Sequence, residues 1–118
     1  MYLQKINLKN KYALVTGAGK GLGRACSIAL AEAGATVIVL SRTVSDLNKL
    51  EKDFKKIKGK LIKVHCDVMD YEELQEKLNK FKIIDILVNN AGTNIPEPFE
   101  KIKQDSMNYL VDLNLKAA

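Results

Sequence analysis

Apolar residues in this chain form short continuous runs, separated by longer segments in which they recur every three or four positions. The continuous runs are YALVT at 12–16, TVIVL at 36–40, LIKVHC at 61–66 and IIDILV at 83–88. Nearly uninterrupted apolar runs of this length are typical of strands that are buried on both faces of a parallel sheet. We therefore predict four strands, each followed by a segment with helical spacing.

The segments between the runs carry helix signals. Residues 21–33 place small and apolar side chains on one face, and Gly34 follows as a stop. The second helix has Ser45 as its expected N-cap, apolar positions Leu47, Leu50, Phe54 and Ile57, and Gly59 after it. Asp70 and Glu73 resemble a capping box at the start of a third helix, which presents Leu74, Leu78 and Phe81 on one face. A fourth helix is predicted from about Gln104, through Met107, Leu110 and Val111, toward the terminus.

This alternation predicts an α/β fold, a Rossmann-type doubly wound parallel sheet with helices on both faces. Residues 1–118 then form a single domain with about four strands. In such sheets the ligand crevice lies beyond the carboxyl ends of the strands, where the strand order reverses. The loops that follow the four strands are therefore the places to look for chemistry.

Composition excludes several other classes. The chain has 118 residues, 47% hydrophobic and 28% charged, which is the balance of one soluble globular domain. No apolar run approaches a membrane span, and residues 1–9 lack the apolar core of a secretory signal. Cys26 and Cys66 lack metal-ligand spacing and are expected to be reduced, small core residues, and His65 is expected to be structural. We expect a cytoplasmic protein with no metal site and no membrane partner.

The net charge of +5 is concentrated in one segment. Residues 49–63 hold seven lysines against Glu51 and Asp53, and the remainder of the chain is balanced. A basic stripe of this kind can bind nucleic acid, or it can be the solvated face of a helix. Phe54 is the one aromatic residue in the segment, so base stacking has little support. We favour the solvated face and disfavour a nucleic-acid partner.

The first predicted strand leads directly into the glycine-rich segment TGAGKGLG at 16–23, which opens the first helix. Glycines allow a tight turn and a close approach of the main chain to a ligand, and a helix N-terminus offers free N–H groups to a pyrophosphate. A phosphate loop of the ATPase and GTPase type needs Ser or Thr after the Gly-Lys pair, whereas Lys20 is followed by Gly21. The context favours a dinucleotide.

The end of the second strand bears on which dinucleotide binds. An acid at this place accepts hydrogen bonds from free ribose hydroxyls, but the sequence has Ser41 and Arg42, and its first acid, Asp46, lies in the next helix. Arg42 and Lys20 could hold a 2′-phosphate, or Arg42 could be a surface residue at a helix start. The missing acid favours NADP over NAD, and it also argues against a methyltransferase.

Four motifs in order resemble the short-chain dehydrogenase/reductase family. These are the TGxxxGxG loop at 16–23, Cys66-Asp67-Val68 after the third strand, Asn89-Asn90-Ala91-Gly92 after the fourth, and Asn114 in the last helix. The resemblance extends from about Leu8 to Ala118.

The resemblance implies a role for each matching residue. The cofactor-binding set is Gly17, Gly19, Lys20, Gly21, Leu22, Gly23, Ser41, Arg42, Asp67, Val68, Asn90, Ala91 and Gly92. Within it, Asp67 would accept from the adenine amino group, and Asn90 to Gly92 would pass along the ribose, while Asn89 would tie the sheet together. Asn114 is the catalytic candidate. Asp67 could also be a cap residue, and the Asn-Asn-Ala-Gly segment could be a simple turn.

One family motif is missing from the chain. The family reaction uses a Tyr-x-x-x-Lys pair and an upstream serine, but the residues four positions after the tyrosines are Ile6, Thr16, Gln75 and Leu113. A tyrosine without that lysine is a poor base at neutral pH. Family members are longer, and their sheet continues past the fourth strand, which would here be an uncovered edge. The resemblance therefore implies that residues 1–118 are a single, incomplete dinucleotide-binding Rossmann domain, truncated after about four strands and inactive alone.

Two functions remain open. The first is the N-terminal NADP-binding portion of an oxidoreductase, which in full length would move hydride between the cofactor and a small carbonyl or alcohol substrate. Its substrates would resemble those of 3-oxoacyl-acyl carrier protein reductases or of sugar-alcohol dehydrogenases, and the full protein would form a homo-oligomer. The alternative is a non-catalytic dinucleotide-binding module, such as a redox sensor.

Overall fold

A computed structural model describes residues 5–57 and 59–118. The elements in chain order are β1 (Tyr12–Thr16), α1 (Gly21–Glu32), β2 (Thr36–Ser41), α2 (Val44–Ile57), β3 (Lys60–His65), α3 (Tyr71–Leu78), β4 (Ile86–Val88) and α4 (Gln104–Val111). A 3₁₀ turn at Phe99–Lys101 precedes α4, and a π-helical turn at Asp112–Lys116 continues it. Two predicted features lie partly outside the described residues. These are residues 1–4 of the N-terminal segment, in which no secretory signal is predicted, and Lys58 of the lysine-rich segment.

The four strands form one parallel sheet in the order β3-β2-β1-β4. The chain first moves outward from β1 through β2 to β3, then crosses back to place β4 on the other side of β1. The strand order therefore reverses between β1 and β4, which is where an open α/β sheet binds its ligand. This arrangement confirms the predicted Rossmann-type parallel sheet.

Side chains of each central strand alternate between two cores, one on each face of the sheet. Ala13 and Val15 of β1 contribute to the core under α1 and α2, whereas Leu14 between them contributes to the opposite core. The opposite core includes Val64 and Leu113, with side chains of α3 and α4 packed against it. Because both faces are covered, β1 and β2 read as continuous apolar runs.

Two predictions about where elements start are wrong: the first residue of β4 and the N-cap of α2. For β4 the reason is local. β4 begins at Ile86, not Ile83, because the Asp85 side chain accepts the Tyr12 N–H at 2.8 Å while the Asp85 N–H donates to the Tyr12 carbonyl at 2.9 Å. A carboxylate thus takes the place of a main-chain partner, and Ile83 is left 68% exposed. α2 begins at Val44, so Ser45 lies within its first turn and is not its N-cap.

The other signals match the structure more closely. The Asp70 carboxylate accepts the Glu73 N–H at 3.1 Å and caps α3 as predicted. Gly34 ends α1 with a φ of +102°, in the left-handed region that favours glycine. β3 begins and ends one residue earlier than predicted, although the Cys66 N–H still donates to the Ser41 carbonyl at 3.1 Å.

The lysine-rich segment lies on α2 and β3. Both of its acids are paired: Asp53 with Arg24 at 2.6 Å, and Glu51 with Lys63 at 2.7 Å. Leu47, Leu50 and Phe54 form the buried face of α2, and lysines occupy the exposed face. Among the residues that the structure describes, no helix combines the length and the apolar character needed to cross a bilayer.

Candidate functional site

A cleft of about 470 Å³ opens at the carboxyl ends of the strands, beside the reversal in strand order. Every predicted cofactor-binding residue except Gly21 and Gly23 lines it. The lining residues are Gly17, Gly19, Lys20, Leu22, Leu40, Ser41, Arg42, Thr43, Asp46, Cys66, Asp67, Val68, Asn90, Ala91, Gly92, Thr93 and Leu113. Segments from all four strand ends therefore meet at one place.

The glycine loop between β1 and α1 has the backbone of an anion cradle. Gly17 and Gly21 have φ values of +60° and +59°, which side-chain-bearing residues rarely adopt. A Cβ added to Gly21 would meet nothing within 4 Å, so the space beside it is open. Among the residues that the structure describes, no side chain caps α1 at Lys20, so the first-turn N–H groups can bind an anionic ligand.

Gly23 allows the first turn of α1 to pack directly on the glycine loop. A Cβ at this residue would lie 2.3 Å from the Gly17 carbonyl oxygen and 2.5 Å from Nδ2 of Asn90. The Gly17 carbonyl belongs to the main chain, so it cannot rotate away as a side chain could. Gly23 is therefore a packing requirement that positions the helix N-terminus, even though it does not face the cleft.

Thr16 and Asn90 join the loops that follow β1 and β4. Oγ1 of Thr16, a residue only 8% exposed, accepts the main-chain N–H groups of Asn90 at 3.1 Å and Ala91 at 3.0 Å. In return, Nδ2 of Asn90 donates to the carbonyls of Thr16 at 3.3 Å and Gly17 at 3.1 Å. The side chain that ties the sheet is thus that of Asn90, and the prediction of this role for Asn89 is wrong.

Thr16 itself was not predicted as a site residue. Its signal was present in the sequence, because it precedes Gly17 at the carboxyl end of a buried strand, where a hydroxyl would need a polar partner. The structure supplies those partners from the far side of the strand reversal. Thr16 and Asn90, with the hydrogen bonds that they make, thus form a joint between the loop after β1 and the loop after β4.

The turn from β2 to α2 carries the basic group predicted for the ribose. Arg42 is exposed and lines the cleft, as does Lys20 on the glycine loop. Nε2 of His65 lies 3.0 Å from the Arg42 carbonyl, and since a carbonyl oxygen only accepts, the ring must donate. His65 thus has the structural role expected of it, and Lys77 Nζ donates to the His65 carbonyl in turn.

Asp46 is a second residue of the cleft that is absent from the predicted site. It belongs to the first turn of α2, yet it lines the cleft beside the glycine loop. A Cβ on Gly19 would lie 2.6 Å from the Cβ of Asp46 and 3.0 Å from its Oδ2. The space left by the missing Gly19 side chain is therefore occupied by this acid.

The loop after β3 contributes a short polar turn. Oδ1 of Asp67 accepts the Met69 N–H at 2.9 Å, so this residue has the turn role that was its simpler interpretation, while it also lines the cleft. Val68 is buried behind it. Burial raises the pKa of the Cys66 thiol, which keeps it neutral near pH 7. Within residues 5–57 and 59–118, no group of three or more potential metal ligands comes together.

Asn114 lies just behind the cleft, in the π-helical turn that follows α4. Its Oδ1 accepts the Thr93 N–H and its Nδ2 donates to the Thr93 carbonyl, both at 2.9 Å. A Cβ on Gly92 would lie 2.9 Å from the same Oδ1. Asn114 therefore holds the loop that borders the cleft, and its catalytic role stays a prediction.

The residues of the cleft fit a dinucleotide. The glycine cradle and the uncapped α1 N-terminus suit a pyrophosphate, and the side chains after β2 and β3 suit the adenosine half. A dinucleotide bound across the strand reversal would reach the Asn90–Gly92 loop with its other half. When bound, a nicotinamide cofactor supplies a hydride donor or acceptor.

Comparison with known proteins gives the same picture. Residues 11–118 match the model of the short-chain dehydrogenase family. The chain is 36% identical to an L-xylulose reductase of Mesocricetus auratus over 95% of its own length and 44% of that protein. It is 35% identical to a 2-dehydro-3-deoxy-D-gluconate 5-dehydrogenase of Pseudoalteromonas atlantica, over 98% of its length and 47% of that protein.

A solved structure shares the fold. A metagenomic short-chain oxidoreductase in complex with NADP superimposes with a TM-score of 0.84 at 30% identity, over 93% of this chain and 52% of that one. The chain thus spans about half the length of the relatives that it matches. The match of the family model, the ordered motifs and the strand reversal agree, and the chain belongs to the short-chain dehydrogenase family.

Proposed function

We propose that the cleft binds NADP(H), and that the complete protein transfers hydride between this cofactor and a small carbonyl or alcohol substrate. The observation that carries the proposal is the joint at the strand reversal. There Thr16 and Asn90 hold the glycine loop against the Asn90–Gly92 loop, and the uncapped N-terminus of α1 faces the same cleft. Such a joint fixes main-chain donors where a pyrophosphate needs them.

Arg42 and Lys20 support the choice of NADP over NAD. Both line the cleft, Lys20 from the glycine loop and Arg42 from the turn after β2, and the guanidinium of Arg42 offers a planar pair of donors for a 2′-phosphate. The NADP bound to the metagenomic oxidoreductase is consistent with this choice. For the substrate, the sugar and sugar-acid names of the relatives favour a small polyhydroxylated ketone or alcohol.

The test is a titration of the protein, in the full length that its gene encodes, with NADPH and NADH. We expect saturable NADPH binding, and we expect Arg42→Asp to weaken it by about tenfold or more, because a phosphate partner is lost and a repelling charge is gained. NADH should bind the variant no more weakly than the wild type. Equal NADPH affinity in both proteins would rule out the role of Arg42.

A non-catalytic dinucleotide-binding module is the second candidate. It is favoured by one observation: no tyrosine of these 118 residues has a lysine four positions later. We propose that these residues bind the cofactor without turning over substrate. A Tyr-x-x-x-Lys pair encoded downstream, together with NADPH-dependent ketone reduction by the full-length product, would favour the enzyme. Saturable binding without reduction would favour the module.

A further inference from the structure

Asp46 has no assigned role, although it lines the cleft together with Lys20 and Arg42. Its side chain is half-buried and packs over Gly19. In the described part of the chain, its carboxylate takes part in no hydrogen bond and no ion pair with another side chain. Arg42, in the connection between β2 and α2, lines the cleft as well. An acceptor and a donor of opposite charge therefore face one ligand region.

The position of Asp46 makes it a neighbour of any group held between Lys20 and Arg42. Gly19 precedes Lys20, and a Cβ on Gly19 would lie 3.0 Å from Oδ2 of Asp46 and 3.0 Å from Oγ of Ser41. A 2′-phosphate held by the two bases would thus lie beside a negative charge, which repels it. Free 2′- and 3′-hydroxyls at the same place would instead donate hydrogen bonds to that carboxylate.

We propose that Asp46 is a specificity-determining residue that opposes Arg42. It accepts hydrogen bonds from the adenosine ribose of NADH and disfavours the 2′-phosphate of NADPH, so that the cleft admits both cofactors. This inference rests on the proposed binding of NADP(H). The acid that is missing at the end of β2 is, on this view, supplied by the first turn of α2.

A simpler account is that Asp46 only stabilises α2, because an acid in the first turn of a helix interacts favourably with the helix dipole. Asp105 provides the matched control. It occupies the first turn of α4, is exposed, and does not line the cleft. An effect that comes from a helix dipole would appear in Asp105→Asn as loss of stability, without a change in cofactor preference.

The experiment measures the dissociation constants of NADPH and NADH for the full-length wild type, Asp46→Asn and Asp105→Asn at two salt concentrations. We expect Asp46→Asn to tighten NADPH binding by about fivefold and to weaken NADH binding by about threefold. The gain in NADPH affinity should shrink at high salt, because it reflects relief of repulsion. Asp105→Asn should leave both constants unchanged.

The outcomes separate the inference from the proposed function. If the wild type binds neither cofactor, the proposed function fails. If it binds NADPH and Asp46→Asn leaves the ratio of the two constants unchanged, the role of Asp46 is overturned while the proposed function stands. Should Asp46→Asn not fold, Asp46→Ser, which keeps a side chain suited to a helix start, is tested by the same ratio.

Discussion

The β1–β4 joint and the turn from β2 to α2 border the same cleft but are held in different ways. At the joint, the buried hydroxyl of Thr16 and the amide of Asn90 make four hydrogen bonds to main-chain groups across the strand reversal. In the turn, hydrogen bonds hold the backbone, while the Arg42 and Asp46 side chains have no hydrogen-bond partner among the described residues. If the cleft binds a dinucleotide as we propose, the main-chain scaffold would hold the part that all dinucleotides share, and the free side chains would discriminate between NADP and NAD.

The largest effect should come from Gly23, on the scaffolded side. Gly23→Ala forces a Cβ to within 2.3 Å of the Gly17 carbonyl, so the α1 N-terminus must move. We expect a loss of about 3 kcal/mol of unfolding free energy, because the clash is with main chain. Gly21→Ala is the control: its Cβ meets open space, and only its φ of +59° is strained, at a cost of about 1 kcal/mol. Equal urea midpoints for the two variants would contradict this reading of the joint.

Thr16→Val removes the acceptor shared by two half-buried N–H groups while keeping the shape of the side chain. The Asn90 N–H keeps the Val88 carbonyl as a partner at 3.0 Å, so only the Ala91 N–H is left unsatisfied, and the cost should be about 1 kcal/mol. Thr16→Ser retains the hydroxyl and should lose less than half as much. Urea unfolding of the three proteins measures the difference, and a Thr16→Val protein as stable as wild type would show that the joint does not depend on this hydroxyl.

His65 allows a test of the turn from β2 to α2, with a smaller expected effect. Its ring donates to the Arg42 carbonyl, so His65→Ala should loosen the backbone that orients the guanidinium and weaken NADPH binding by about threefold. NADH, which has no 2′-phosphate, should bind unchanged. His65→Gln supplies another side-chain N–H donor and should restore most of the NADPH affinity. Equal loss for both cofactors would assign His65 to general stability instead.

The smallest effect concerns an ion pair outside the cleft. A hydrogen bond and the positive charge of Lys63 hold the pKa of Glu51 below its usual value of 4.5. Because the folded-state pKa is the lower one, the stabilisation is full above pH 4.5 and is lost as the pH falls through the folded-state value. Since the pair is exposed, the change should be slight. Lys63→Gln should flatten the pH dependence of the urea midpoint between about pH 5 and 3. Lys49→Gln, which removes an exposed lysine of α2 that is not paired with Glu51, should not.

The fold was largely predictable because a doubly wound sheet buries its strands on both faces. β1 and β2 therefore appear as continuous apolar runs, and the capping pattern at Asp70 is local. β4 was predicted too long, because Asp85 replaces a main-chain partner with its side chain, which no periodicity reveals.

The candidate site was predictable where its residues directly follow strand ends. Asp46 and Thr16 were missed because their roles depend on how separate segments pack. Whether the first turn of α2 meets the glycine loop is set by the packing of α1 against α2, not by the residues near Asp46 in sequence. The choice between Asn89 and Asn90 as the tying side chain likewise depends on which of two adjacent amides points at β1.

Asn114 grips residue 93 by its main chain alone, with one amide atom on the N–H and the other on the carbonyl. In effect it acts as a one-residue substitute for a neighbouring strand, and it is indifferent to the side chain it holds. The side chain at position 93 can therefore change without shifting the loop. Position 114 has no such freedom: aspartate lacks the donor and leucine lacks both bonds. The residue that fixes the conformation of this loop therefore lies twenty-one residues further along the chain.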